Sequence, residues 1–393
     1  MKKLIFGYGA TGKSVETYFQ KKNIEYLIYD DNKQIDIPKN KVFDESKFEE
    51  IEEVVISPGI KPNHKLLNKI HIQGLTVKTD IDLFNDIYNG KIIGVTGTNG
   101  KTTFVNLLTS FLNSQGLKSV AVGNVGKSPL EIIDKDYEYV VIELSSFQLY
   151  YLKNIQLYIG IILNIYEDHL DWHKNFKEYL ESKKRIKNFI NKNESNQDSI
   201  NFFGTLEPGS TNSNLHPEIK KNSNFYSNTI DLFMEIIEKL ELKYESAKEF
   251  IINAENSEHR FEIVDVINDV TYINDSKSTN FNSVSMGTTK IKNGILILHG
   301  LTKNISSNDL VISEEIKLII LPKDMKVNLE KTNAEVIELE SIFDLESKLE
   351  IIVNSGDTVL FSCGGASFND FKNYEDRGKF FKSIVSNIKE KNA

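Results

Sequence analysis

The stretch from Ile92 to Thr103 constrains this chain more than any other. Ile92-Ile93-Gly94-Val95 is a continuous apolar run, and Thr96-Gly97-Thr98-Asn99-Gly100-Lys101-Thr102-Thr103 follows it at once. A buried strand that empties into a glycine-rich turn ending in Gly-Lys-Thr calls for a helix next. Only at such a junction do the turn's backbone N–H groups and the helix N-terminus form one phosphate cradle. The spacing therefore predicts an α/β domain with a parallel sheet, and ATP with Mg²⁺ as its ligand. Gly97, Thr98, Asn99, Gly100, Lys101, Thr102 and Thr103 are the predicted ATP-binding residues. Lys101 reaches the terminal phosphates, and the Thr102 hydroxyl can ligate Mg²⁺. The strict pattern fails by one position, because Val95 stands where its first glycine belongs and Gly94 precedes it. A turn that is glycine-rich for purely structural reasons is the alternative.

The rest of the chain repeats the same rhythm. Leu4-Ile5-Phe6, Tyr26-Leu27-Ile28-Tyr29, Val54-Val55-Ile56 and Leu75-Thr76-Val77 form a first series of short apolar runs. Val120-Ala121-Val122, Val140-Val141-Ile142 and Ile159 to Leu163 continue the central series. Val270 to Ile273, Ile295 to Leu298, Leu318 to Leu321 and Val359-Leu360-Phe361 make a third. Near-continuous apolar runs are what strands buried on both faces look like. Three α/β units are expected, with boundaries near residues 86 and 258. Between 191 and 228 the chain turns polar and rich in Asn and Ser, which reads as irregular connection.

At 393 residues the chain exceeds what one hydrophobic core usually serves. A net charge of −9 argues against a nucleic-acid surface and for small-molecule partners. The single cysteine, Cys363, cannot form an internal disulfide, which suits a reducing compartment such as the cytoplasm. The apolar start at Leu4-Ile5-Phe6 is broken by Gly7, Gly9, Gly12 and Lys13 too early for a signal peptide, and no run is long enough for a membrane helix.

Several further clusters carry chemistry. Gly7-Tyr8-Gly9-Ala10-Thr11-Gly12 is a complete G-x-G-x-x-G between a predicted strand and helix, and Asp30 closes the next strand. This pattern suits a nicotinamide or flavin dinucleotide, another diphosphate, or simply a tight turn, because glycines let any pyrophosphate approach the backbone. Glu143 ends the strand Val140 to Ile142, at the sheet edge where a carboxylate can hold the metal; Ser145, Ser146 and Gln148 follow. Asn164 closes the next strand, and Glu167-Asp168-His169-Leu170-Asp171-Trp172-His173 packs metal-ligand types into one turn. Beyond it, Phe176, Tyr179, Leu180, Ile186 and Ile190 define an apolar helical stripe with Lys183 inside it, Lys187 near that face and Arg185 on the opposite one. A lysine there either snorkels or is a desolvated or modified group. His259-Arg260-Phe261-Glu262, Asn274 to Asn280 and Ser362 to Phe368 place polar or small residues at the ends of the third series.

Taken together and in this order, these clusters resemble the Mur ligase family along the whole chain. The carrying residues are Thr96 to Thr103, Glu143 to Gln148, Asn164 with Asp168 to Asp171, Tyr179 with Lys183 and Arg185-Ile186, His259 to Glu262, and Asn274 to Asn280. Gly7 to Gly12, Ser57-Pro58-Gly59-Ile60, Gly123 to Gly126 and Phe371 to Gly378 point to its D-glutamate-adding branch. The resemblance implies three domains. Residues 1–85 would be a Rossmann-like domain holding the uridine diphosphate of a UDP-sugar substrate, through Ala10, Thr11, Gly12, Asp30, Ser57, Pro58 and Gly59. Residues 86–258 would be a P-loop ATPase-like domain. There Asn124, Ser145 and Gln148 meet the rest of that substrate, Thr102 and Glu143 hold one Mg²⁺, and His169 with a carbamylated Lys183 holds a second. Lys101, His169 and Lys183 would be the catalytic residues. Residues 259–393 would be a second Rossmann-like domain. Arg260 and Asp275, with Asn228, would contact nucleotide there, while Lys277, Thr279, Lys303, Ser367 and Tyr374 hold D-glutamate.

The reaction implied is phosphorylation of the terminal carboxylate of UDP-N-acetylmuramoyl-L-alanine by ATP, then attack of the D-glutamate amine on the acyl phosphate. This is a cytoplasmic step of peptidoglycan synthesis, and a monomer is expected. The chain departs from the family at Asn224-Phe225-Tyr226-Ser227-Asn228, which keeps only the last asparagine of a Gly-x-His-Asn-x-x-Asn element. An L-alanine-adding ligase of the same family and, from Gly7 to Gly12 with Asp30, an NAD-dependent oxidoreductase are the competing readings.

Overall fold

The computed structural model describes residues 1–124, 126–190, 200–201, 215–223, 225–302 and 310–392. Three sheets carry the fold, each assembled from the apolar runs that the sequence marks. In the first, β1 (Lys2–Phe6), β2 (Tyr26–Tyr29), β3 (Ile51–Ile56) and β4 (Thr76–Lys78) lie in the order β2-β1-β3-β4, all parallel. Its helices are α1 (Ala10–Lys21), α2 (Lys65–Ile72) and α3 (Asp80–Asn85). The strand order reverses at β1, so the turn after β1 opens into the crevice where such sheets bind ligands.

The second sheet is built from β5 (Lys91–Thr96), β6 (Ser119–Gly123), β7 (Tyr139–Glu143), β8 (Ile159–Ile162) and β9 (Ile200–Asn201), in the order β6-β7-β5-β8-β9 and again all parallel. Every residue of β7 and β8 is buried, which explains their unbroken apolar sequence. Helices α4 (Lys101–Ser114), α5 (Ser146–Tyr151) and α6 (Phe176–Lys184) flank it, and β5 is the switch point from which the phosphate loop departs. The apolar stripe beyond Phe176 is helical only to Lys184; a 3-10 segment, Arg185–Phe189, completes it. Helices α7 (Pro217–Asn222), α8 (Ser227–Lys239) and α9 (Tyr244–Asn253) follow.

The third sheet contains β10 (Glu262–Ile267), β11 (Val270–Asp275), β12 (Gly294–His299), β13 (Ile316–Pro322), β14 (Glu335–Leu339) and β15 (Thr358–Gly364), in the order β10-β11-β15-β12-β13-β14. Helices α10 (Phe281–Thr288), α11 (Leu345–Ile352) and α12 (Tyr374–Lys391) cover it. Phe361 of β15 stacks on Phe381 of α12 at 4.7 Å, in the middle of this core. Strand β10 is an addition to the runs named above. It pairs antiparallel to β11 through a two-residue turn in which Asn268 (φ 49°) and Asp269 (φ 64°) are both left-handed. Asn-Asp between β-branched stretches is a hairpin signal. At the sheet edge only one of its six residues, Ile267, is buried and two, Ile263 and Val266, are exposed, so it lacks the continuous buried run of its neighbours.

The chain divides into two compact units: Met1–His216 with Ser227–Phe250, and Pro217–Tyr226 with Ile251–Ala393. The first contains the first two sheets and the second contains the third. Among the described residues no helix is long and apolar enough to cross a membrane.

Candidate active site

Of helices α1 to α6, only α1 and α4 begin without a side-chain cap. Their caps are Gly9 and Gly100, the last residues of the two glycine-rich turns. Both N-termini therefore lack a capping side chain and present a positive dipole end that suits an anion.

At α4 the loop is held open by its neighbours. Gly97 (φ +157°) and Gly100 (φ +81°) adopt backbone conformations that side chains rarely take, and a Cβ on Gly97 would come within 3.0 Å of Leu163. Asn164 frames the loop, its carbonyl accepting from Thr98 N–H at 2.9 Å and its side chain exchanging two hydrogen bonds with the Asn99 backbone, at 2.9 and 3.1 Å. The Thr98 hydroxyl lies 2.8 Å from that of buried Tyr179, which ties α6 to the loop. The missing first glycine also finds its explanation here. Gly94 lies within β5, where a Cβ would meet Leu157 at 2.8 Å, so its smallness serves packing and the cradle begins at Gly97.

Three cationic or metal-binding groups meet at this loop. Lys101 donates to the carbonyls of Gly97 and Thr98, both at 2.9 Å. Thr102 Oγ1 donates to Glu143 Oε2 at 2.9 Å, across the gap between α4 and the end of β7. Lys183, only 1% exposed, donates to Gly97 O at 2.7 Å. Burial, reinforced by the Lys101 ammonium, holds its amine well below the usual lysine range. Thr103, in the first turn of α4, completes the predicted set.

The donor chemistry fits Mg²⁺. A hydroxyl and a buried carboxylate already face each other at hydrogen-bond distance, and Mg²⁺ characteristically takes one or two carboxylates plus phosphate and water oxygens. Among the described residues no group of three or more His, Cys, Asp or Glu side chains could hold a metal. Glu143 is itself positioned: its Oε1 accepts from Asn124 Nδ2 at 3.1 Å and its carbonyl from Asn124 N–H at 3.0 Å. Asn124, expected to touch substrate, thus first orients the carboxylate.

The dense turn after β8 separates into two roles. His169 sits in a left-handed conformation (φ 56°), half exposed, with its ring 4.8 Å from that of Phe147. His169 and Lys183 both flank Tyr179, at 6.3 Å between ring centroids and 4.7 Å from Nζ to centroid. His173 instead is buried against Ser146 Oγ at 3.0 Å, and desolvation brings its pKa down to about 4, so it stays neutral and structural. Ser145 and Gln148, expected at the substrate, form a reciprocal capping box at the start of α5. Arg185 turns away from the loop and donates to the carbonyls of Tyr150 and Leu152.

At the first turn, a Cβ on Gly12 would lie 2.2 Å from Gly7 O, so only glycine lets α1 approach β1 so closely. Ser57 Oγ donates to Gly7 O at 2.7 Å and pins the 57–60 turn, with Pro58 and Gly59, beside it. Asp30 accepts the N–H of Tyr8 at 2.6 Å and of Asn32 at 2.8 Å, so its carboxylate shapes the turn. Ala10 and Thr11 lie in the exposed first turn of α1.

In the second unit, Asp275 is buried and accepts from Phe261 N–H at 3.0 Å, Ser278 Oγ at 2.5 Å and Ser362 Oγ at 2.8 Å; burial pushes its pKa up to about 6. Arg260 contributes to its electrostatic surroundings. Lys277 Nζ lies 3.5 Å above the Tyr374 ring, bringing two predicted amino-acid-binding residues together. Thr279 is partly exposed beside them in sequence, and Ser367 is buried in the turn after β15. Lys303 and Asn224 lie outside the described residues, as does the side chain of Asn228, whose backbone begins α8.

Residues 1–79 match the Mur ligase MurD-like N-terminal domain, and residues 95–208 match the Mur ligase middle domain. The UDP-N-acetylmuramoylalanine--D-glutamate ligase of Buchnera aphidicola is 32% identical over 98% of both chains. That of Francisella philomiragia is 30% identical, covering 99% of this chain and 97% of its own. Among solved structures, a MurF ligase from Thermotoga maritima in complex with ADP superposes with a TM-score of 0.59 at 12% identity, covering 100% of this chain and 95% of that one. A pseudomurein peptide ligase type C from Methanothermus fervidus gives 0.55 at 17% identity, covering 99% and 100%. The likeness to these structures is one of mixed α/β fold. The sequence relatives go further: the chain belongs to the Mur ligase family.

Proposed function

We propose that this chain is an ATP-dependent amide-bond-forming ligase that joins D-glutamate to UDP-N-acetylmuramoyl-L-alanine, a cytoplasmic step of cell-wall peptidoglycan synthesis. The observation that carries the reading is the meeting of the Gly97–Gly100 cradle, Lys101, the Thr102–Glu143 pair and buried Lys183 in a chain whose near-full-length relatives bear that name.

The ATP β- and γ-phosphates would lie on the loop N–H groups, with Lys101 exchanging the carbonyls of Gly97 and Thr98 for phosphate oxygens. Mg²⁺, held by Thr102 and Glu143, would neutralise charge on the transferring group. The substrate carboxylate attacks the γ-phosphorus, releasing ADP and leaving an acyl phosphate. The D-glutamate amine then adds to the acyl carbon. The resulting tetrahedral centre collapses with loss of inorganic phosphate, and the amine proton leaves to solvent. Lys183 would act as a carbamate: a free ammonium beside a metal site would repel the ion, whereas the CO₂ adduct of the amine supplies oxygen ligands, and with His169 these would form a second Mg²⁺ site. Arg260, Asp275 and Asn228 are assigned to nucleotide, and Lys277, Thr279, Lys303, Ser367 and Tyr374 to D-glutamate.

The finer architecture belongs to the same proposal: a Rossmann-like UDP-sugar domain over 1–85, a P-loop ATPase-like domain over 86–258 and a Rossmann-like amino-acid domain over 259–393, acting as a monomer on small molecules. The test is phosphate release from ATP and UDP-N-acetylmuramoyl-L-alanine with a panel of amino acids. D-glutamate alone should support turnover. Turnover with L-alanine on the unsubstituted UDP-muramic acid, and none with D-glutamate, would reassign the chain within the family.

A further inference from the structure

Among the described residues the largest fully buried side chain is a charged one, Arg377, in the first turn of α12. Burying a guanidinium without compensation is costly, so its partners disclose what it is for. Nε donates to Ser276 Oγ at 3.0 Å and Nη2 to Ser276 O at 2.7 Å. Nη1 donates to His299 O and to Gly365 O, both at 3.0 Å. These acceptors are the residues that leave the carboxyl ends of β11, β12 and β15, three neighbouring strands of one sheet. Its counter-charge arrives through an imidazole. His299 Nδ1 faces the guanidinium at 3.3 Å and can only accept there, so Nε2 carries the hydrogen and donates a hydrogen bond to Asp370 Oδ2 at 2.9 Å. The backbone is built around this arrangement: a Cβ on Gly300 (φ +113°) would lie 2.8 Å from Arg377 Nη1.

Two of the three strand ends so clamped, those of β11 and β15, lead directly to a residue assigned to the amino acid. Ser276 precedes Lys277, its hydroxyl donates to Tyr374 O at 2.8 Å, and Gly365 lies in the turn that carries Ser367. We propose that Arg377, backed by His299 and Asp370, is the positioning residue of the amino-acid subsite, fixing Lys277, Ser367 and Tyr374 in register for the incoming substrate's carboxylates. This rests on the ligase reading above. Lysine cannot replace it, because an ammonium is a single point charge and does not span carbonyls from three loops.

The experiment compares wild type with Arg377→Lys by steady-state kinetics, with circular dichroism to check folding and hydrogen exchange on the substrate-free chain. The expected result is a folded variant whose KM for D-glutamate rises about tenfold or more, while KM for the UDP-muramoyl substrate stays within about twofold. Exchange should quicken at Lys277 and at Gly364 to Ser367 and remain unchanged across β5 to β8. A fall in kcat with both KM values unchanged would mean a lost active fraction and a merely structural arginine, and would overturn the proposal. So would wild-type kinetics in the variant. If wild type itself shows no D-glutamate dependence, the ligase reading fails on that measurement. The exchange data then decide for or against the clamp by themselves.

Discussion

Lys183 shows at the scale of one residue what a sequence can and cannot say. Its place inside an apolar stripe was plain, and so were two readings of it, a snorkelling lysine and a desolvated or modified one. The structure removes the first: the amine does not reach solvent but ends on Gly97 O at 2.7 Å, inside the phosphate loop. Replacing Lys183 by Ala should lower kcat by at least about a hundredfold with the fold retained, the scale typical of losing a group that stabilises developing charge. Wild-type protein in ¹³C-bicarbonate should show a carbamyl carbon resonance that the variant lacks. An active variant, or no such resonance, would contradict the assignment. Arg377 is the opposite case. It stood in view within Phe371 to Gly378, yet no local pattern distinguishes an arginine that clamps three strand ends from one on a surface helix, because its partners are distant in sequence.

Elements were legible where both faces are buried and less so elsewhere. The strands flanking the two glycine turns read directly from their apolar runs, and the turns from glycines that sterics require. Gly12→Ala places a Cβ 2.2 Å from Gly7 O, and the forced separation of α1 from β1 should cost about 1–3 kcal/mol in urea unfolding and raise KM for the UDP-muramoyl substrate. An unchanged midpoint and KM would remove that turn from the substrate site. Edge strand β10 was missed because Ile263 and Val266 face solvent. The capping box of Ser145 and Gln148 was missed because side chains that cap a helix and side chains that grip a ligand have the same composition.

Helix α3 carries a pH dependence of its own. Asp80, at its start, is 3% exposed with Oδ1 lacking a hydrogen-bond partner, and burial raises its pKa from 3.8 to about 6. A raised folded-state value means stability that is fully present below about pH 4 and lost as pH rises through 6, because the folded chain must then ionise a buried carboxyl. Asp80→Asn should therefore flatten the stability profile between pH 4 and 7 and stabilise the chain at pH 7.5 by about 1–3 kcal/mol. A variant that is destabilised at pH 7.5 would show that the carboxylate is paid for by its neighbours.

At the scale of the molecule, three parallel-dominated sheets follow from three series of apolar runs, and length alone called for more than one core. What the runs did not disclose is the partition into two compact units, in which Pro217–Tyr226 joins the third sheet and Ser227–Phe250 the first two. Polar connecting segments carry no periodicity from which such a division could be read. The central claim is that the phosphate loop activates a carboxylate for D-glutamate, and the most direct test is the mass of the product. With ATP, Mg²⁺, UDP-N-acetylmuramoyl-L-alanine and D-glutamate, the nucleotide sugar should gain one glutamyl residue, with ADP and phosphate formed in equal amounts. ATP consumption that leaves the nucleotide sugar's mass unchanged would contradict the account.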